Sequence, residues 1–178
     1  MRKVVLFIAM SLDGYIATTS GQVDWLKGQD PAQDDANLQT YDRFIQGVDT
    51  VVMGRRTYDQ IATELFPDAW PYADLTTYVS SHRPHANTAN ITFTAVKAAE
   101  LISQLRQQPG QNIWLCGGAN LINQYREADL IDRYHISVIP TLLGTGIRLF
   151  VPGTTEQPLK LIASESYNGI TDLIYERR

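Results

Sequence analysis

Residues 4–10 read Val-Val-Leu-Phe-Ile-Ala-Met, a continuous apolar run without polar alternation. That is the pattern of a strand buried on both faces. A loop carrying Gly14, Gly21 and Gly28 follows. Asp30-Pro31 predicts a helix start, with a capping carboxylate and proline at the first helical position. Leu38, Tyr41 and Ile45 then fall on one helical face. Residues 49–53 predict a second strand, rich in β-branched Thr50, Val51 and Val52 and ended by Gly54. A short helix over 55–63 follows, with Tyr58, Ile61 and Ala62 on one side. Strands are predicted at 76–80 and 91–93. Thr94 is placed to cap a helix whose apolar set is Ala98, Leu101, Ile102 and Leu105. Residues 112–116 predict another strand, and Gly117-Gly118 turns it into a helix carrying Leu121, Ile122 and Tyr125.

The last quarter changes character. A strand over 133–139 ends at Pro140, and a glycine-bearing loop runs from 141 to 147. Strand-like runs at 159–167 and 170–176 flank Asn168-Gly169. That pair predicts a type I′ hairpin, because both central residues need positive φ. The expected fold class is therefore α/β: one domain over 1–178, a mostly parallel sheet with crossover helices, and an antiparallel C-terminal hairpin.

Composition narrows the function. With 178 residues, 44% apolar content and a net charge of -4, the chain has the make-up of a folded domain rather than a disordered segment. A pI near 5.3 argues against nucleic acid as the partner. The single cysteine, Cys116, forms no internal disulfide, which suits a reducing cytoplasm. No apolar run is long enough to cross a bilayer, and no small-residue cleavage site follows the first one, so neither a membrane span nor a signal peptide is expected. His82, His85 and His135 have no metal-ligand spacing with Cys116, so no metal is expected.

Ligands of open α/β sheets sit beyond the carboxyl ends of the strands. Three such ends carry unusual residues: 9–17, 51–58 and 114–122. At the second, Gly54 permits close backbone approach and the next helix offers free N–H groups to an anion. Arg55 and Arg56 there are either phosphate ligands or solvated surface cations. At the third, Gly117-Gly118 either admits a diphosphate or simply makes a tight strand–helix turn. The glycine spacing matches neither the dinucleotide fingerprint nor a phosphate loop. Ser80, Ser81 and Arg83 end another strand with groups suited to a phosphate monoester, or form a polar loop.

In this order the segments resemble the dihydrofolate reductase superfamily. They are most similar to the reductase domain of bifunctional riboflavin-biosynthesis proteins and its stand-alone relatives. The motifs are Ser-Leu-Asp-Gly-Tyr-Ile-Ala at 11–17, Val-Met-Gly-Arg-Arg-Thr-Tyr at 52–58, Cys-Gly-Gly-Ala-Asn-Leu at 116–121, and Ile-Pro-Thr-Leu-Leu-Gly-Thr-Gly-Ile-Arg-Leu-Phe at 139–150. The resemblance implies an NADPH-dependent reductase with a dihydrofolate reductase-like fold, acting on a small heterocyclic or carbonyl substrate. The substrate type implied is 5-amino-6-(5-phosphoribosylamino)uracil; the alternatives are dihydrofolate, or a non-catalytic nucleotide-binding role on the same fold. It implies that Gly54, Arg55, Arg56 and Thr57 cradle the adenosine side. Ser80, Ser81 and Arg83 would join the arginines around the 2′-phosphate. Gly117, Gly118, Ala119, Asn120, Leu121 and Ile122 match the diphosphate turn, its two glycines often joined by a cis peptide. Ala9 and Ile16 match positions flanking the nicotinamide, and the loop 11–25 matches a mobile cover.

The proton source stays open. Asp13 in the cover loop and Asp35 on the first helix are the catalytic candidates, with Asp34 and Asp42 nearby. Asp13 is equally a turn residue before Gly14, and carboxylates in a first helical turn also suit the dipole. Trp25, Asp34 and Ser137 are candidate substrate contacts, and Arg148, Lys27 and Arg43 are the basic side chains available for a ribosyl phosphate. His135, inside a strand, reads as a core or edge histidine. Relatives of this type are commonly dimers, so a homodimer is expected, with Leu142-Leu143 and residues 149–151 as interface candidates.

Overall fold

A computed structural model describes residues 1–33, 35–153 and 156–178, and for 35–38 the backbone only. Ten strands and four α-helices are described: β1 (Val4–Ser11), β2 (Tyr15–Ala17), α1 (Asp35–Ile45), β3 (Val48–Gly54), α2 (Arg55–Gln60), β4 (Thr76–Ser80), β5 (Ile91–Thr94), α3 (Ala98–Arg106), β6 (Asn112–Gly117), α4 (Ala119–Glu127), β7 (Arg133–Ile139), β8 (Ile147–Arg148), β9 (Leu159–Tyr167) and β10 (Ile170–Arg177). Eight strands form one sheet in the order β5-β4-β3-β6-β1-β7-β10-β9. All neighbours are parallel except β7–β10 and β10–β9. The α/β reading therefore holds, and so does the hairpin, with Asn168 at φ 44° and Gly169 at φ 76°.

Each face of the sheet has its own apolar layer. On one, α3 and α4 bring Leu101, Ile102, Leu105, Leu121, Ile122 and Tyr125 against Val4, Leu6, Val52 and Leu115. On the other, Tyr41, Phe44 and Ile45 of α1 and Tyr58 and Ile61 after β3 meet Val51, Met53 and Trp114. Phe7 and Phe44 stack at 4.3 Å in that second layer.

Some local expectations shift. Asp30 does cap, its Oδ1 accepting the Ala32 N–H at 3.0 Å, but a 3-10 turn over Pro31–Gln33 precedes α1. The helix after Gly54 is α-helical only to Gln60 and continues as a π turn, Ile61–Leu65. Thr94 caps no helix: its hydroxyl accepts the Val96 N–H, and α3 starts at Ala98 behind Lys97. β2 and β8 pair as a separate two-stranded sheet that the hydrophobic pattern does not announce. Of the proposed interface residues, Leu149 is core, whereas Leu142 and Val151 are exposed. No helix among the described residues is long and apolar enough to cross a membrane.

Candidate active site

The connection after β3 goes to the α2 face and the connection after β6 goes to the α4 face. β3 and β6 are neighbours. Adjacent strands that send their chains to opposite faces leave a crevice at their carboxyl ends, the place where open α/β sheets bind ligands. Gly54 ends β3 and Gly117 ends β6, so the crevice opens between two glycine turns.

The two turns nearly touch. A Cβ on Gly54 would lie 3.7 Å from the Gly118 nitrogen, and one on Gly118 would lie 3.2 Å from Thr57 Oγ1. Gly117 has φ 156° and joins Gly118 through a cis peptide. Gly54 and Gly118 are the N-caps of α2 and α4, and among the described residues no side chain caps either helix start. The first backbone N–H groups of both helices therefore lack an internal partner and converge on one cleft. Leu121 and Ile122 point their side chains into the core, leaving α4 to present backbone and the exposed Asn120.

Register brings the cationic corner to the same end. Gly54 pairs with Ser80, and Ser80 with Thr94. Arg56 and Arg83 are exposed there, and neither makes an ion pair among the described residues. Arg55 is already engaged: its Nε donates to Asp59 Oδ1 at 2.7 Å and its guanidinium lies 5.5 Å over the Phe93 ring. The Ser81 hydroxyl is also engaged, donating to the Arg83 carbonyl and accepting the Arg83 N–H. Among the predicted phosphate ligands, Arg56, Arg83 and the half-buried Ser80 are the ones left free to turn outward.

Ala9 lies on β1 beside Ser137 of β7, and Ser137 lies beside Asp172 of β10. β1 is buried at Val4–Leu6 and again at Ser11, and half-buried at Phe7–Met10 between them. Asp172 is 0% exposed. His135 Nε2 stands 3.5 Å from its Oδ2, and among the described residues neither that nitrogen nor the carboxylate has a closer hydrogen-bond partner. Burial works to raise the Asp172 pKa, but the interactions with His135, Ser137 and Tyr167 outweigh it and hold the carboxyl below its ordinary value. Asp172 was missed in the sequence, although Ile170, Asp172 and Ile174 share one side of an alternating strand. His135 proves to be a core histidine in T-shaped contact with Phe7 at 4.5 Å.

The cover loop is tied at several points. Asp13 accepts bonds from the Ser11 hydroxyl, the Leu143 N–H and the Gly144 N–H at 2.6, 3.1 and 2.7 Å. The Ser11 hydroxyl, assisted by those N–H groups against a smaller burial effect, lowers the Asp13 pKa. An ionised carboxylate with both oxygens occupied fits a loop latch better than a proton donor. Ile16, half-buried on β2, packs on the α4-side core. Further along, Gln60 donates to the Gly21 carbonyl, Trp25 Nε1 to the Gln22 carbonyl, and Asp30 N–H to Asn168 Oδ1. The loop thus bridges from α2 to the C-terminal hairpin across the carboxyl ends of the strands. Asp34 and the side chain of Asp35 lie outside the described residues, and Asp42 is exposed. Arg43 pairs with Glu165, Arg148 stacks over Tyr15, and Lys27 is exposed. Burial pushes the Cys116 thiol up to about 12, so it is not a thiolate nucleophile.

The profile of the RibD C-terminal domain matches residues 2–175. The chain belongs to that family. Bacillus subtilis YwjB, itself uncharacterized, is 39% identical over 177 residues, covering 99% of this chain and 98% of YwjB. The uncharacterized B. subtilis YyaP is 28% identical over 184 residues, 98% of this chain and 94% of YyaP. A crystal structure from Shewanella sp. PV-4, provisionally assigned to riboflavin biosynthesis, superposes with a TM-score of 0.86 at 29% identity, covering 99% of both chains. Acinetobacter baumannii RibD shares the fold, with a TM-score of 0.71 at 18% identity, and the chain spans 58% of its length.

Proposed function

We propose that this RibD C-terminal domain protein is an NADPH-dependent reductase of a small heterocyclic substrate of the riboflavin-intermediate type, working in the cytoplasm. The observation that carries the reading is the convergence of two glycine-capped, otherwise uncapped helix starts at the β3–β6 switch point. The cleft fits a dinucleotide diphosphate, since it offers free backbone donors and no Cβ at Gly54 or Gly118 to block them. NADPH, when bound, supplies a hydride to a C=N or C=O carbon.

The protein's part is to hold, orient and exclude water. Backbone N–H groups at 55–57 and 119–121 take the diphosphate. Arg56, with Ser80 and Arg83, takes the 2′-phosphate, and Arg55 stiffens that corner from its bond to Asp59. Ala9 and Ile16 flank the nicotinamide. Ser137 and Asp172 form the polar floor beyond Ala9, with Trp25 and Asp34 on the cover side. The one proton the reduction needs comes through Asp35 or water, and Asp13 latches the cover. The test is Arg56→Ala: NADPH affinity falls at least about tenfold while NADH affinity is unchanged, the loss expected of one charge-assisted phosphate contact. An unchanged NADPH/NADH ratio refutes the assignment.

A further inference from the structure

The charges of the chain are divided between the two ends of the cleft. Residues 11–42, the cover loop and most of α1, carry six aspartates (Asp13, Asp24, Asp30, Asp34, Asp35 and Asp42), no glutamate and one cation, Lys27. That stretch has a net charge of -5, against -4 for the whole chain. β8 brings Arg148 alongside it, 4.8 Å over the Tyr15 ring, and counting Arg148 still leaves -4. The adenosine corner has the opposite sign, with Arg55, Arg56 and Arg83 against Asp59.

The fold sets the acidic stretch over the other end, beyond Ala9. The Leu12 N–H donates to the Thr141 carbonyl just past β7, and the Asp30 N–H to Asn168 at the tip of the β9–β10 hairpin. β1 and β3 both run parallel to β6. α1 returns the chain from the carboxyl end of β1 to the amino end of β3, so its first turn lies at the cleft and its last turn away from it. Arg43, the α1 cation, is in that last turn and pairs with Glu165.

The floor repeats the sign. Ser137 aligns with Ala9 on one side and with Asp172 on the other, so the three share a face of the sheet. Asp172 is wholly buried, and neither carboxylate oxygen has a hydrogen-bond partner among the described residues. A buried carboxylate short of donors favours a donor or a positive charge nearby and disfavours a second anion.

We propose that this end of the cleft selects a substrate without a phosphate or other anionic group, a neutral or cationic nitrogen heterocycle. The inference rests on the reductase reading and narrows its substrate: the heterocycle stays and the ribosyl phosphate goes. A phosphate monoester carries about -1.5 to -2 charges at pH 7, and here it enters against both the acidic stretch and Asp172. The phosphates of the dinucleotide meet no such field, since their place is over the helix starts and the arginines.

The test is calorimetry on the protein loaded with NADP+, with two probes that differ by the phosphate alone, 5-amino-6-ribitylaminouracil and its 5′-phosphate. At about 50 mM salt the phosphate-free probe is expected to bind at least about tenfold tighter. The gap narrows at about 1 M salt, where the Debye length is about 3 Å. Asp24 and Asp42 are both exposed. Reversing them together, Asp24→Lys with Asp42→Lys, closes the gap at low salt to less than about threefold. Matching circular dichroism melts confirm that the variant is folded. Equal or tighter binding of the phosphorylated probe, binding of neither, or a gap indifferent to salt and to the substitutions overturns the proposal. NADPH is titrated first. A protein that binds no dinucleotide sinks the reductase reading, whereas one that binds NADPH and prefers the phosphorylated probe sinks this inference alone.

Discussion

Replacing Gly54 by alanine separates a binding role from a folding role at the centre of the cleft. Gly54 has φ -77° and ψ 158°, a conformation open to any residue. The added Cβ would meet the Gly118 nitrogen at 3.7 Å and the Gly117 oxygen at 3.8 Å, ordinary van der Waals contacts. Alanine restricts the unfolded chain, which stabilises by about 0.4–1 kcal/mol, and is the poorer N-cap by a similar amount. The two nearly cancel, so the melting temperature should move by less than about 2 °C in a chain of this size. Binding should respond differently. On the proposed reading the methyl group would stand where the diphosphate approaches the N–H groups of both turns, and losing one charge-assisted contact there is worth at least about 1.4 kcal/mol, or tenfold. Differential scanning fluorimetry without ligand and calorimetry with NADPH measure the two effects. A Gly54→Ala protein that melts normally and binds NADPH with wild-type affinity refutes the placement of the cofactor.

Two further outcomes follow from contacts away from the cleft floor. Buried Asn123 of α4 donates to the Leu149 carbonyl at 2.9 Å and accepts the Val151 N–H at 3.2 Å. Asn123→Ala orphans both, and should cost about 2–4 kcal/mol and roughly 4–16 °C in a thermal melt; a shift below 2 °C contradicts the stated role. Lys3, and then Arg133, hold the Glu176 pKa down to about 2. A depressed carboxylate contributes stability above its unfolded value near 4.5 that is lost as pH falls toward 2. Glu176→Gln should therefore flatten the melting-temperature profile between those pH values, and parallel profiles for the two proteins would contradict the ion-pair account.

β4, β7 and β9 were legible to the residue, because β-branched and apolar runs there end at a serine, a proline and an Asn-Gly turn. The β2–β8 pair was not. Its members have three and two residues, and what holds them is Asp13 capping the Leu143 and Gly144 N–H groups from more than a hundred residues away. The cleft was legible in its glycines, since conformational freedom at a strand end is a local property. Which cations are free was only partly so. The Arg55–Asp59 spacing suits a helical ion pair, but the stacking of Arg55 on Phe93 requires β5 to lie beside β4. Asp172 was visible as a charged residue on the apolar side of a strand. Its neighbours His135 and Ser137 appear only once β7 pairs with β10.

The proposed reductase activity requires the switch-point cleft of this RibD C-terminal domain protein to bind NADPH in preference to NADH. Calorimetric titration of the purified protein with each dinucleotide tests it directly. Micromolar NADPH binding with NADH at least about tenfold weaker is the expected result. Equal affinity for the two, or heat from neither, contradicts it.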